Sequence, residues 1–248
     1  MTALILALIA GAVVGLMLGA LGGGSVLAVP ALIYLLGFTP ASATTASLII
    51  VTATSLTALY AHARAGRVRW KAGAAFAAAG ILPAAVAGAA SAHLPQAVLT
   101  LAFAAVAALS ALKMLRPADT ARPKDGGVRP GKAAGAGAAL GTLTGLLGVG
   151  GGFLAVPALV TVLAFEMEAA VGTSLLVITA NSLASLATRS GTAASVDWAL
   201  IGPFIGTAIL GAWDGKRIAA KVSAPHLQRI FAVVLLAVAA FMLADAVT

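Results

Sequence analysis

The chain has 248 residues, of which 61% are hydrophobic and 9% charged, with a mean hydropathy of +1.09. Apolar runs recur along its whole length, more than a soluble domain of this size can solvate, so the composition describes a polytopic membrane protein. The net charge of +8 sits in short segments between apolar runs, as in cytoplasmic loops, which argues against nucleic acid as a partner; the absence of cysteine excludes disulfides and thiolate metal sites.

Ten apolar segments are predicted, at 2–21, 25–38, 41–63, 72–90, 95–115, 133–149, 152–165, 169–188, 197–212 and 227–246. The first is not a cleavable signal peptide by its flanks: Met1-Thr2-Ala3 carries no basic group, and apolar sequence runs on to Phe38. The second and seventh segments are too short to span. About 14 residues at 1.5 Å each reach about 21 Å, against a hydrocarbon core of about 30 Å. Both are entered through a glycine-rich break, Gly22-Gly23-Gly24-Ser25 through Val29-Pro30 and Gly150-Gly151-Gly152 through Val156-Pro157. Consecutive glycines are poor helix interior, each costing roughly 1 kcal/mol relative to alanine. A break inside a membrane must face protein, water or ligand, so the doubled break predicts a binding site made from two half-helices.

The longest polar stretch, 116–132, divides the chain into a first membrane repeat, 1–115, and a second, 133–248, joined by a basic cytoplasmic linker. A shift of 127 positions lays Leu27-Ala28-Val29-Pro30-Ala31-Leu32 on Leu154-Ala155-Val156-Pro157-Ala158-Leu159, Ser47 on Ser174, Thr52 on Thr179 and Ser55 on Ser182. Trp70 meets Trp198 after one inserted residue. Unrelated leucine- and alanine-rich helices would not keep prolines, serines and tryptophan in register, so the chain is read as an internal duplication.

Arg64, Arg67, Arg69 and Lys71 follow the third segment, and the loop after the fourth has no fixed charge; in the second half the basic loop, with Lys216, Arg217 and Lys221, follows the ninth instead. Equivalent loops then lie on opposite sides of the membrane, which predicts two inverted repeats. The first two segments of each repeat contribute either two crossings or one re-entrant hairpin. Glycines at every fourth position, Gly11, Gly15 and Gly19 and again Gly137, Gly141 and Gly145, form a flat stripe for close helix packing.

The candidate chemistry follows from these breaks. Half-helices starting after Gly24 and at Gly152 would aim unpaired N–H groups at an anion, with Ser25 adding a hydroxyl. Polar rows on the third and eighth segments, Ser47, Thr54 and Ser55, and Ser174, Asn181 and Ser182, can hydrate an oxyanion through donors alone. Single hydroxyls in membrane helices commonly bond their own preceding carbonyls, so the repeat of the row carries the reading. His62 and Arg189, at equivalent positions, are candidate gating or pathway residues, each with the alternative of a loop or snorkelling role. No Asp or Glu lies mid-span, which argues against a cation site; Asp197 and Asp214 read as capping or topological residues.

The doubled Gly-rich, Val-Pro pattern, the flanking apolar segments and the basic linker resemble the sulfite exporter TauE/SafE family of membrane transporters along essentially the whole chain. The resemblance implies about eight spans, so the bundle is expected to hold about 8 to 10 spanning or half-spanning helices in an all-α fold. It also implies a small anionic substrate such as sulfite, sulfoacetate or another sulfonate. The expected protein is a multi-pass transporter of a bacterial inner or plasma membrane, with the lipid bilayer as its surroundings, a homo-oligomer left open and no metal or organic cofactor. The alternatives are a non-transporting membrane subunit and an intramembrane serine hydrolase using Ser25 with His62 or His93. The hydrolase reading is weak because Gly152 replaces Ser25 in the second repeat and no carboxylate orients either histidine.

Overall fold

A computed structural model describes residues 2–23, 25–91, 96–115, 130–147, 152–161, 163–188 and 197–247. Among these, every regular element is helical: α1 (Thr2–Leu21), α2 (Ser25–Pro30) running into a π-helical turn (Ala31–Leu35), α3 (Pro40–Arg64), α4 (Trp70–Ser91), α5 (Gln96–Leu115), α6 (Pro130–Leu147), α7 (Gly152–Thr161), α8 (Met167–Thr188), α9 (Trp198–Ala219) and α10 (Ala224–Val247). Four helical stretches, Thr2–Leu21, Ser42–Arg64, Trp70–Ala87 and Met167–Ala187, are long and apolar enough to cross a membrane, and shorter apolar helices accompany them. Large side chains such as Leu82, Leu109 and Leu210 stand exposed on the outside, as lipid-facing residues must.

The ten predicted segments each correspond to one of these helices, with two informative differences. The ninth runs to Ala219, past its predicted end at 212, because Asp214, Lys216 and Arg217 occupy the last turns of a helix instead of a loop. Cations there lie near the negative end of the helix dipole, and long side chains can reach water from a helix end. The second stops as an α-helix at Pro30, whose missing N–H breaks the ladder, and continues as the π-helical turn to Leu35.

Pairing of the helices follows the glycine stripes. Gly11, Gly15 and Gly19 of α1 lie against Phe204, Ala208 and Ala212 of α9, so closely that a methyl group on any of them would overlap α9 backbone. Gly211 and Gly215 of α9 answer with Ala12 and Leu16 of α1. In the other half-bundle, Gly137 of α6 meets Phe76 of α4, and Gly141 meets Gly80. Each pair joins a helix before the 116–132 stretch to one after it, and each runs parallel. The halves are therefore interlaced. Phe76 and Phe204, equivalent residues, are both fully buried, each in its own apolar cluster.

Between these pairs, α3 and α8 cross in opposite directions. The turn after α3 touches the N-terminal part of α8, where Gly172 packs on the Arg67 backbone and the Arg69 N–H donates to Thr173 Oγ1 at 3.0 Å. Mid-helix, Ser55 meets Thr179. α5 and α10 also run oppositely, with Gln228 Nε2 donating to the Met114 carbonyl at 2.6 Å. One end of the bundle thus collects every lysine and arginine among the described residues, from the α3–α4 turn, the end of α5, the start of α6 and the α9–α10 turn. Thr39 and Asp197, the N-caps of α3 and α9, sit at the opposite end. The capping role expected of Asp197 is met by Oδ1, which accepts from Ala199 N–H at 3.0 Å, while Asp214 pairs with Arg217 at 3.3 Å.

Candidate functional site

The first glycine break lies at the basic end, where α1 stops. Gly22 has φ of +68°, a left-handed conformation that suits glycine, and its N–H closes α1 by donating to the Leu18 carbonyl at 2.8 Å. The chain then turns back along α1: Leu27, Pro30 and Tyr34 share an apolar groove with Leu6 and Val13, and Tyr34 packs edge-on to Phe241 with ring centroids 5.0 Å apart. The break is therefore the tip of a helical hairpin, which favours the hairpin or two-crossing reading over a single broken helix.

That tip abuts α7 and α8. A methyl group on Gly22 would lie 2.5 Å from Ser174 Oγ and 3.1 Å from Val156 of α7, so the break is pressed against the polar row of α8. Gly23 is buried beside it. Gly152 opens α7 and Ser25 opens α2 as expected, though the Ser25 hydroxyl, with Gly24, Gly150, Gly151, Arg189 and His93, lies outside the described residues and side chains.

The two polar rows come together at the α3–α8 crossing. Ser47, Thr54, Ser55, Ser174, Asn181 and Ser182 are all buried. Most of the hydroxyls satisfy themselves as membrane-helix hydroxyls do: Thr54 Oγ1 donates to Ile50 O at 2.6 Å, Ser174 Oγ to Val171 O at 2.8 Å, and Thr52 Oγ1 to Leu48 O at 2.7 Å. Thr179 Oγ1 shares its proton between Leu175 O at 2.7 Å and Ser55 Oγ at 3.0 Å, the second bond stitching the two repeats. Two atoms break the pattern. Ser182 Oγ and Asn181 Oδ1 are buried with no hydrogen-bond partner among the described residues. Leaving a buried polar atom unpaired costs about 1–3 kcal/mol, which makes these two sequence neighbours on α8 candidates for contact with a polar group. The serine hydroxyl can donate or accept, and the orphaned amide atom is the acceptor Oδ1.

His62 continues the α3 row, seven residues beyond Ser55 and on the same face. It is 2% exposed, and its Nε2 reaches the Gly19 carbonyl at 3.3 Å, one turn before the glycine tip. Sequence reasoning left open a place for it in the basic loop; instead α1 closes over it. Three groups at this end were not singled out for the site: Lys216 Nζ donates to the Ala61 carbonyl at 2.5 Å, and Arg67 Nε pairs with Glu168 Oε2 at 3.1 Å. The only signal for Lys216 was its place in the basic loop read after the ninth segment, which names no partner 155 residues away. Among the described residues no cluster of three His, Cys, Asp or Glu side chains is placed to hold a metal ion.

The comparisons agree with this architecture. Residues 7–242 match the family described as sulfite exporter TauE/SafE. Two relatives from Xylella fastidiosa, both described as "Probable membrane transporter protein", are similar over nearly their full length. The one from strain 9a5c is 34% identical over 248 residues, covering 97% of this chain and 95% of the relative. The one from strain Temecula1 / ATCC 700964 is 32% identical over 249 residues with the same coverage. No solved structure matches the chain. With a helical bundle built for the bilayer and a family match across nearly all of it, the chain belongs to the sulfite exporter TauE/SafE family and is a multi-pass membrane transporter.

Proposed function

We propose that this transporter moves small sulfur-containing anions, sulfite or organosulfonates such as sulfoacetate, by alternating access around the α3–α8 crossing. The observation that carries the reading is the unpartnered Ser182 hydroxyl next to Asn181, buried on α8 near the Thr179–Ser55 bond and on the same helix as the Ser174 that the Gly22 tip approaches. A sulfonate or sulfite has several acceptor oxygens and no need of a fixed countercharge if enough donors surround it. The site offers Ser and Thr hydroxyls, an amide and close backbone approach at Gly22, with no carboxylate among the buried polar residues. The equivalent glycines Gly150, Gly151 and Gly152 with Ser25 and Gly24 complete the site in this reading, and Arg189 guards the far mouth as His62 does the near one.

The two halves act as inverted repeats, 1–115 and 133–248, joined by the linker 116–132. Antiparallel α3 and α8, reciprocal parallel pairs α1–α9 and α6–α4, and exposed Trp70 and Trp198 at opposite ends support this. The basic end faces the cytoplasm by the excess of Lys and Arg there. Rocking at the crossing, against the two glycine-zipped pairs, would open the site to each side in turn.

The test is uptake of radiolabelled sulfoacetate and sulfite into proteoliposomes of the purified protein, beside a Gly22→Val control. Saturable flux of either anion that the control lacks is the expected result. A folded protein that moves neither anion overturns the substrate reading.

A further inference from the structure

We infer that His62 is the proton carrier of this transporter, binding a proton at Nδ1 when an anion occupies the α3–α8 crossing. The inference rests on the anion reading above and adds its driving ion. Among the described residues His62 is the one titratable side chain that is buried. A carbonyl can only accept, so the 3.3 Å contact to Gly19 O assigns the hydrogen of the neutral ring to Nε2. Nδ1 is then a bare acceptor, buried and without a partner.

Its position links it to the site. Gly19 and Gly22 are three residues apart on α1, about one helical turn, and Gly22 touches Ser174. On α3 the same face carries Ser55, which bonds Thr179 across the crossing. A proton arriving at Nδ1 therefore places positive charge on the α3 face that carries Ser55, about 10 Å along the helix from the crossing, where the described residues supply no fixed charge.

The surrounding charges decide when that can happen. From α9, Lys216 reaches the carbonyl of Ala61, the residue before His62; from the α3–α4 turn, Arg67 stands nearby with its guanidinium held on Glu168 of α8. Helix α1 contributes no titratable side chain. The near free charge is thus cationic and the near carboxylate already paired, so the protein itself offers an imidazolium no counterion. An unpaired buried charge is strongly unfavourable, whereas a cation and an anion entering together neutralise one another. Proton and anion are bound as a pair. The Nδ1 lone pair takes H⁺ from water on the side to which the site is open, forming an N–H bond while Nε2–H stays on Gly19. On the other side the anion leaves, water takes the Nδ1 proton and neutral imidazole returns.

The experiment is equilibrium binding of sulfoacetate to the detergent-purified full chain at pH 8, 7 and 6, with an indicator dye reporting proton uptake in weak buffer. Sulfoacetate is chosen because its sulfonate and carboxylate stay ionised across this range, so any proton taken up belongs to the protein. Reciprocal linkage predicts about one proton per anion bound and an affinity that rises up to about tenfold per unit fall in pH. In His62→Gln, whose amide can still donate to Gly19 O, residual binding is expected to be flat with pH and to take up no proton. A wild-type protein that binds sulfoacetate without taking up protons overturns the inference even if His62→Gln does not fold, and so does a folded His62→Gln with unchanged pH dependence. If the wild type neither binds sulfoacetate nor transports it while sulfite flux persists, the coupling is read as the difference in proton movement per sulfite between wild type and His62→Gln, which cancels sulfite's own titration; no difference overturns it. If neither anion moves, the substrate reading fails first and this inference fails with it.

Discussion

The glycine-zipped pairs and the α3–α8 crossing are built from the same small and apolar residues, yet they satisfy themselves in opposite ways. In α1–α9 and α6–α4, glycine lets one backbone rest on another, and dispersion over a long contact holds the helices without any polar atom being needed. At the crossing, space goes to hydroxyls, an amide and an imidazole, three of whose buried atoms find no partner in the protein. The first kind of contact has one good arrangement and resists change. The second leaves polar atoms unpaired, and in the proposed reading an arriving anion or water relieves that cost. On that reading the difference separates scaffold from working part.

Variants that exchange the properties of the two regions test the distinction. The largest effect is expected from Gly15→Leu or Gly141→Leu, which drives a side chain into the backbone of α9 or α4; overpacking of several kcal/mol with rigid neighbours should prevent assembly, seen as loss of the monodisperse peak in size-exclusion chromatography. A folded, active Gly15→Leu would mean the pairs are looser than described. Next come Ser182→Ala and Asn181→Leu, which remove orphaned polar atoms. These should leave the thermal melting temperature equal or higher, since an unpaired buried group is lost, while anion flux falls roughly tenfold or more. A drop in stability with normal flux would reassign both residues to the scaffold. Thr179→Val deletes one inter-repeat hydrogen bond and should cost about 0.6–1.5 kcal/mol in stability, read by denaturant titration, with a few-fold change in flux. The smallest effect belongs to Arg67→Ala: its pair with Glu168 is partly exposed, worth about 0–1 kcal/mol, and high salt should erase most of the difference.

Much of this organisation was legible because glycine and proline punctuate apolar sequence. The existence of the ten helices and the turn entered at Gly22 rest on residues whose backbone limits are local. What a stripe such as Gly11, Gly15 and Gly19 does not encode is whose backbone fills it. Nothing in the first 21 residues selects α9, nearly two hundred positions away, over the neighbouring α2. The candidate site divides in the same manner. Ser55 and Ser182 were visible as repeated hydroxyls on one helix face, but their unequal fates, one bonded by Thr179 and the other left bare, depend on a crossing geometry that periodicity cannot supply. His62 could be read either as a pathway residue or as part of the basic loop with Arg64 and Arg67; Gly19, whose carbonyl it meets, and Lys216, which bonds the adjacent Ala61, are distant in sequence.

The central claim, that an anion occupies the α3–α8 crossing, can be tested directly because the chain contains no cysteine. Ser182→Cys introduces a single thiol nearly the size of the hydroxyl it replaces. The account predicts that a small thiol-specific reagent carrying a sulfonate labels this cysteine in the folded protein, and that sulfoacetate or sulfite slows the labelling in proportion to occupancy. Labelling that neither anion slows, in a protein that still transports them, would place the anion elsewhere and contradict the account.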